Sequence, residues 1–99
     1  MIIEQALLRI KPDQSAQFEK VMGQARALIA AQPGFQSIEV RPAAEEEDQY
    51  LLLVKWDRIA SHRDGFRKSD DYQQWRALLH GFYDPMPSIT YFGPSIFDD

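Results

Sequence analysis

The residues with the greatest capacity for chemistry crowd between Tyr50 and Tyr83, a run carrying His62, Phe66, Arg67, Tyr72, Trp75, Arg76, His80, Phe82 and Tyr83. Seven of the twelve aromatic side chains fall here. Trp56, Phe66 and Trp75 offer flat apolar surfaces. His62, Tyr72 and Arg76 add one imidazole, one phenol and one guanidinium. Convergent polar groups in an apolar wall suit a planar aromatic or quinone-like ligand. His62 is the candidate general base, because an imidazole changes charge near neutral pH. Tyr72 or Arg76 is the candidate partner for a developing oxyanion. Plainer roles compete with each: Trp56, Tyr72 and Trp75 also fit core packing, and Arg76 also fits a surface salt bridge. His80 lies where a helix C-terminal dipole would favour it.

Other chemistries fall away. The five glycines are dispersed and form no phosphate loop, so no nucleotide or flavin cofactor is expected. The two histidines have no metal-binding spacing and there are no cysteines, so no metal is expected either. A net charge of −4 argues against a nucleic-acid partner. Glu4 interrupts the N-terminal apolar stretch that a signal peptide would need. No apolar run approaches the ~18–20 residues of a membrane span. A cytoplasmic protein with no membrane partner is expected.

These groups must be positioned by one domain spanning residues 1–99. Ile2 to Ile10 reads as a strand with apolar residues on both parities. Pro12 and Asp13 open a predicted helix whose stripe is Phe18, Val21, Met22, Ala25, Leu28 and Ile29, ended by Gln32-Pro33-Gly34. Phe35–Arg41 and Tyr50–Trp56 read as an antiparallel hairpin around the acidic turn Glu45–Glu47. Asp57 is expected to cap a short helix reaching about Phe66, and Ser69 to cap another carrying Tyr72, Trp75, Leu78, Leu79 and Phe82 on one face. Asp84-Pro85-Met86-Pro87 breaks that helix before a last strand, Ser88–Phe92. Phe97-Asp98-Asp99 is expected to fray.

The order β-α-β-β-α-β defines an α+β, ferredoxin-like sandwich, whose helices cover one sheet face. Strands one and three are apolar on both faces. A second copy would cover the other face, which predicts a homodimer closed by a two-fold axis.

Pro33-Gly34-Phe35-Gln36-Ser37-Ile38-Glu39-Val40, the strand ending at Trp56, His62 and the stretch from Phe66-Arg67-Lys68-Ser69 to Pro87 resemble the antibiotic biosynthesis monooxygenase family. That resemblance implies a dimeric α+β barrel that oxidises a small phenol, anthrone or quinol with O2 and no cofactor. It also implies a role for Trp56, which matches a tryptophan of the anthrone-oxidising members. Their asparagine four residues earlier is Leu52 here. The haem-degrading branch needs Asn, Trp and His where this chain has Gln5, Phe66 and Arg76, so haem degradation is not expected. Tyr91 stands where similar sequences often place a histidine. The expected catalytic set is therefore His62, Trp56, Tyr72 and Arg76. The expected substrate lining is Gln5, Leu52, Val54, Phe66, Trp75, Leu79 and Tyr91. A non-catalytic module binding a small aromatic molecule, or an isomerase using the same cavity, are the alternatives.

Overall fold

The computed structural model describes residues 1–98. Four strands, β1 (Ile2–Arg9), β2 (Phe35–Pro42), β3 (Gln49–Trp56) and β4 (Thr90–Phe92), form one antiparallel sheet in the order β2-β3-β1-β4. Helices α1 (Ser15–Ala30) and α2 (Asp70–Leu79) pack against the same face. This is the ferredoxin-like α+β arrangement that the order of elements predicts. Strand alternation decides which side chains go inside. On β1 the buried set is Glu4, Ala6 and Leu8, and on β3 it is Tyr50, Leu52, Val54 and Trp56. Phe18, Met22, Ala25 and Ile29 cover them from α1, and Trp75 and Leu79 from α2.

The odd-numbered residues of β1 face away from the helices. Gln5 pairs with Leu53, Leu7 with Leu51, and Ile3 lies between Lys55 and Phe92. Leu7 remains 39% exposed and Phe92 50%. The open face is thus apolar in its middle.

Several boundaries differ from the sequence expectation. Asp13 adopts a left-handed backbone with φ 65°, so α1 begins at Ser15 rather than at Pro12–Asp13. β1 ends at Arg9, and Ile10 continues as a lone bridge to Tyr83. The last strand is only Thr90–Phe92. Asp57 does not cap a regular α-helix. Its carboxylate accepts from the Arg58 amide and the Ser61 hydroxyl, ahead of a π-helical turn at Ser61–Gly65 and a 3-10 turn at Phe66–Lys68. Ser69 does cap α2, accepting from the Tyr72 amide at 3.1 Å. Of the three C-terminal residues expected to fray, Asp99 lies outside the described residues.

Gly34 connects α1 to β2 at φ 85°, a region that side chains with a Cβ disfavour. A Cβ there would also collide with the Asp57 carboxylate and the Ser61 hydroxyl. Gly34→Ala is therefore expected to cost more than about 1 kcal/mol, lowering Tm by at least about 4 °C. A thermal melt matching that of the wild type would contradict this.

Candidate functional site

Between the sheet and α2 lies a chamber of about 140 Å³. Ala6, Leu8, Leu52, Phe66, Trp75 and Ile29 supply its apolar lining. Glu4, His62, Arg67, Tyr72, His80 and Tyr83 supply the polar groups, and Met86, Pro87 and Ile89 close one side.

Glu4 faces this chamber because it occupies the inward parity of β1. In register it stands opposite Val54 on one side and Tyr91 on the other. The Trp56 indole N–H donates to Glu4 Oε1 at 3.0 Å. The π-helical turn folds His62 over the same spot, placing Nε2 3.4 Å from Oε1. Nδ1 of that ring lies 2.6 Å from the Tyr91 hydroxyl. Arg63 sits over the Tyr91 ring, 5.3 Å from its centroid. Phe66 continues the aromatic stack, edge-on to Tyr72 at 5.3 Å and to Trp75 at 5.6 Å.

Burial sets the charge state of the central pair. Desolvation raises the Glu4 carboxyl from 4.5 to about 7, against the opposing pulls of the Trp56 hydrogen bond and Arg67. Ionising it costs roughly 3 kcal/mol more than in water. Desolvation, followed by the Arg67 and Arg63 charges, lowers His62 from 6.5 to about 4. Between those values the contact joins a neutral acid to a neutral imidazole, so it is not an ion pair. Burial also raises the Tyr83 and Tyr91 phenols and, with Arg76 and Arg67, lowers His80.

Of the residues expected from sequence, the chamber brings together His62, Tyr72, Leu52, Phe66 and Trp75. Others do not border it. Gln5 lies on the opposite face of the sheet, because it has odd parity on β1. Arg76 is exposed on the outer flank of α2, and the guanidinium bordering the chamber belongs to Arg67. Trp56 is 0% exposed, boxed in by Phe35, His62 and Phe66. It holds Glu4 instead of forming a wall. Val54 and Leu79 are likewise fully buried core, and Tyr91 reaches the site through His62.

Sequence reading missed Glu4, although the signal was present. It is the charged residue on the parity shared by Ile2, Ala6 and Leu8. A wider groove of about 270 Å³ runs between α1 and β2. Its charged groups, Glu19 and Arg26, are exposed, and the buried carboxyl–imidazole pair lies in the inner chamber. Among the described residues no cluster of His, Cys, Asp or Glu could hold a metal ion. Among the described residues no helix is long and apolar enough to cross a membrane.

The fold and its helix-covered chamber define a ferredoxin-like α+β domain with a pocket between sheet and helix. The chain belongs to the antibiotic biosynthesis monooxygenase family, whose sequence profile matches residues 1–78. It is similar to the uncharacterised protein YczJ of Bacillus subtilis (strain 168), with 40% identity over 92 residues covering 93% of this chain and 97% of YczJ. A crystal structure of a Bordetella bronchiseptica protein ascribed to the antibiotic biosynthesis monooxygenases superposes with a TM-score of 0.91. Identity is 28%, covering 96% of this chain and 97% of that one. SnoaB, a cofactor-independent oxygenase from Streptomyces nogalater, shares the fold with a TM-score of 0.84 and 15% identity, over 98% of this chain and 95% of SnoaB.

The buried pair makes a signed prediction about stability. Glu4, raised on folding, contributes stability that is lost as pH rises from 4.5 through about 7. His62, lowered on folding, contributes stability that is lost as pH falls from 6.5 through about 4. Between pH 4.5 and 6.5 the two slopes cancel, because folding only moves one proton from imidazole to carboxyl. Glu4→Gln removes one slope, so its stability should climb with pH through this window in urea titrations. A variant profile as level as the wild type would refute the assignment.

Proposed function

We propose that this protein is a cofactor-independent monooxygenase acting on a small phenol. The observation that carries this reading is a chamber with aromatic walls and a buried acid–imidazole pair facing it. Phe66 and Trp75 border the chamber as faces for a planar ring, and Tyr72 and Arg67 border it as donors for a phenolate oxygen. Removal of the phenolic proton makes the ring electron-rich enough to reduce O2 directly. One oxygen atom is retained as a quinone carbonyl and the other leaves as water. The four electrons come from the ring, so phenol plus O2 gives quinone plus water.

Size narrows the class. An apolar cavity of about 150 Å³ accepts benzene, and the chamber holds about 140 Å³. A single-ring phenol with an unsubstituted para carbon fits. A tricyclic anthrone would require the Met86–Ile89 segment to move outward. Membership of the family and the fold shared with SnoaB support oxygenase chemistry in general.

Leu52 favours a second reading. It borders the chamber with an aliphatic side chain where the oxygenases it resembles carry an amide. A module that binds an aromatic metabolite without transforming it would have no use for that amide.

We also propose a homodimer joined through the open sheet face, where Leu7, Leu51, Leu53 and Phe92 would be covered. Leu53→Glu should then convert a sedimenting dimer into a monomer. A monomeric wild type would end this part of the proposal.

Oxygen consumption and product mass, measured with a panel of single-ring phenols, test the activity. Turnover above background with quinone as product is expected. Ligand-induced thermal stabilisation with no oxygen uptake would transfer support to the binding module.

A further inference from the structure

His62 is the expected base, yet its geometry leaves it poorly placed to receive a proton. Nδ1 is engaged by the Tyr91 hydroxyl at 2.6 Å and Nε2 by Glu4 Oε1 at 3.4 Å. Where Tyr91 donates to Nδ1, the ring hydrogen is on Nε2, the nitrogen that lies 3.4 Å from Glu4 Oε1. Neither ring nitrogen then offers a lone pair to a ligand. Glu4 is differently disposed. Oε1 accepts from the Trp56 indole and lies 3.4 Å from His62 Nε2, whereas no side chain among the described residues donates to Oε2. Glu4 is also the only carboxyl among the described residues that border the chamber.

We propose, on the basis of the oxygenase reading above, that Glu4 is the catalytic base, with Trp56 and His62 as positioning residues that hold its free oxygen toward the substrate. The phenolic O–H bond breaks, its electron pair stays on the substrate oxygen, and the proton passes to Oε2. No oxidant enters this step. The N–H groups on Oε1 fix the carboxyl's rotation and favour its ionised form. Tyr91 fixes the imidazole tautomer that makes His62 a donor.

Titratable and charged groups surround Glu4 from each neighbouring element. They are Tyr91 on β4, His62 and Arg67 on the turns after β3, Tyr72 on α2, and His80 and Tyr83 beyond it. With its carboxyl near 7, Glu4 is about half ionised at neutral pH, the range in which a general base works best. A phenol of ordinary acidity near 10 still leaves a shortfall of about a thousandfold. The Arg67 guanidinium, which borders the chamber, offsets part of it by stabilising the phenolate.

Two readouts on the full-length protein test this. The first is the pH dependence of oxygen uptake with a single-ring phenol. The second is the visible absorbance of bound 4-nitrophenol, which reports whether its proton has left and requires no turnover. Glu4→Gln should lower kcat by about 10²- to 10⁴-fold and leave bound nitrophenol neutral. His62→Asn, which loses the donor but keeps the acid, should shift the pH–rate midpoint upward and recover activity as pH rises. Should Glu4→Gln fail to fold, Glu4→Asp keeps an acid but withdraws it, and reduced turnover with the pH profile retained is expected.

A Glu4→Gln enzyme that matches the wild type in both readouts overturns the role of Glu4 and leaves the oxygenase reading intact. So does a pattern in which His62→Asn alone abolishes nitrophenol ionisation. Glu4-dependent ionisation without oxygen uptake by the wild type keeps Glu4 as the base and removes the oxygenase reading. If the wild type does not bind nitrophenol or any phenol of the panel, both fall.

Discussion

A carboxyl group buried between sheet and helices is the constraint around which this molecule is arranged. Glu4 is 3% exposed, and an unpaired ionised carboxylate at that depth would be strongly destabilising. The fold answers with the Trp56 N–H on one oxygen, the His62 imidazole beside it, and a carboxyl raised to about 7. Trp56 comes from the neighbouring strand in a fixed register. His62 comes from an irregular turn that must bend back over the sheet. That turn is itself tethered: the Asp57 amide donates to the Gly34 carbonyl at 2.9 Å, and the Asp57 carboxylate holds Arg58 and Ser61. A left-handed glycine on one side of the hairpin thus helps set an imidazole on the other.

The fold was legible in the sequence wherever one periodicity ruled a segment. The stripe of α1, the apolar run of β3 and the Ser69 cap are local properties, and each appears in the structure. The site was legible only in part, because it depends on parity and on irregular turns. Gln5 and Glu4 differ by one residue, and in a strand one residue reverses the face. Arg76 shares the helical stripe of Tyr72 and Leu79 on paper, but its long side chain reaches solvent at the stripe's edge. Arg67 belongs to a 3-10 turn whose direction no helical or strand period describes. Trp56 was identified as important, but its N–H proves more consequential than its face.

The open side of the sheet poses a separate physical problem. A chain of 99 residues has little core to spare, yet this one places Leu7, Leu51 and Leu53 on the face that its own helices do not cover. The pairing Gln5–Leu53, Leu7–Leu51 forms a continuous strip along the two central strands, flanked by Lys55, Glu39 and Arg41. Apolar centre and charged rim is the composition of an interface core. The strip lies directly behind the chamber, on the far side of β1 and β3. Glu4 and Gln5 therefore bear on two different surfaces through adjacent positions of one strand.

The walls of the chamber differ in how readily they could change. Leu52 sits in the central strand β3, Trp75 sits in α2, and Phe66 is 1% exposed in a turn packed on both. Enlarging the chamber there would break close packing and leave unfilled volume. Met86, Pro87 and Ile89 belong to the connection between α2 and β4, which makes no regular backbone ladder, and Met86 is 52% exposed although it borders the chamber. The irregular 84–89 connection thus borders the chamber on one side, while Glu4, His62 and Arg67 border it from β1 and the turns after β3. The titratable groups Glu4, His62 and Arg67 and the Met86–Ile89 side of the chamber therefore belong to separate parts of the fold, a loop set over a regular scaffold. Met86 and Pro87, which border the chamber from that connection, carry no titratable group.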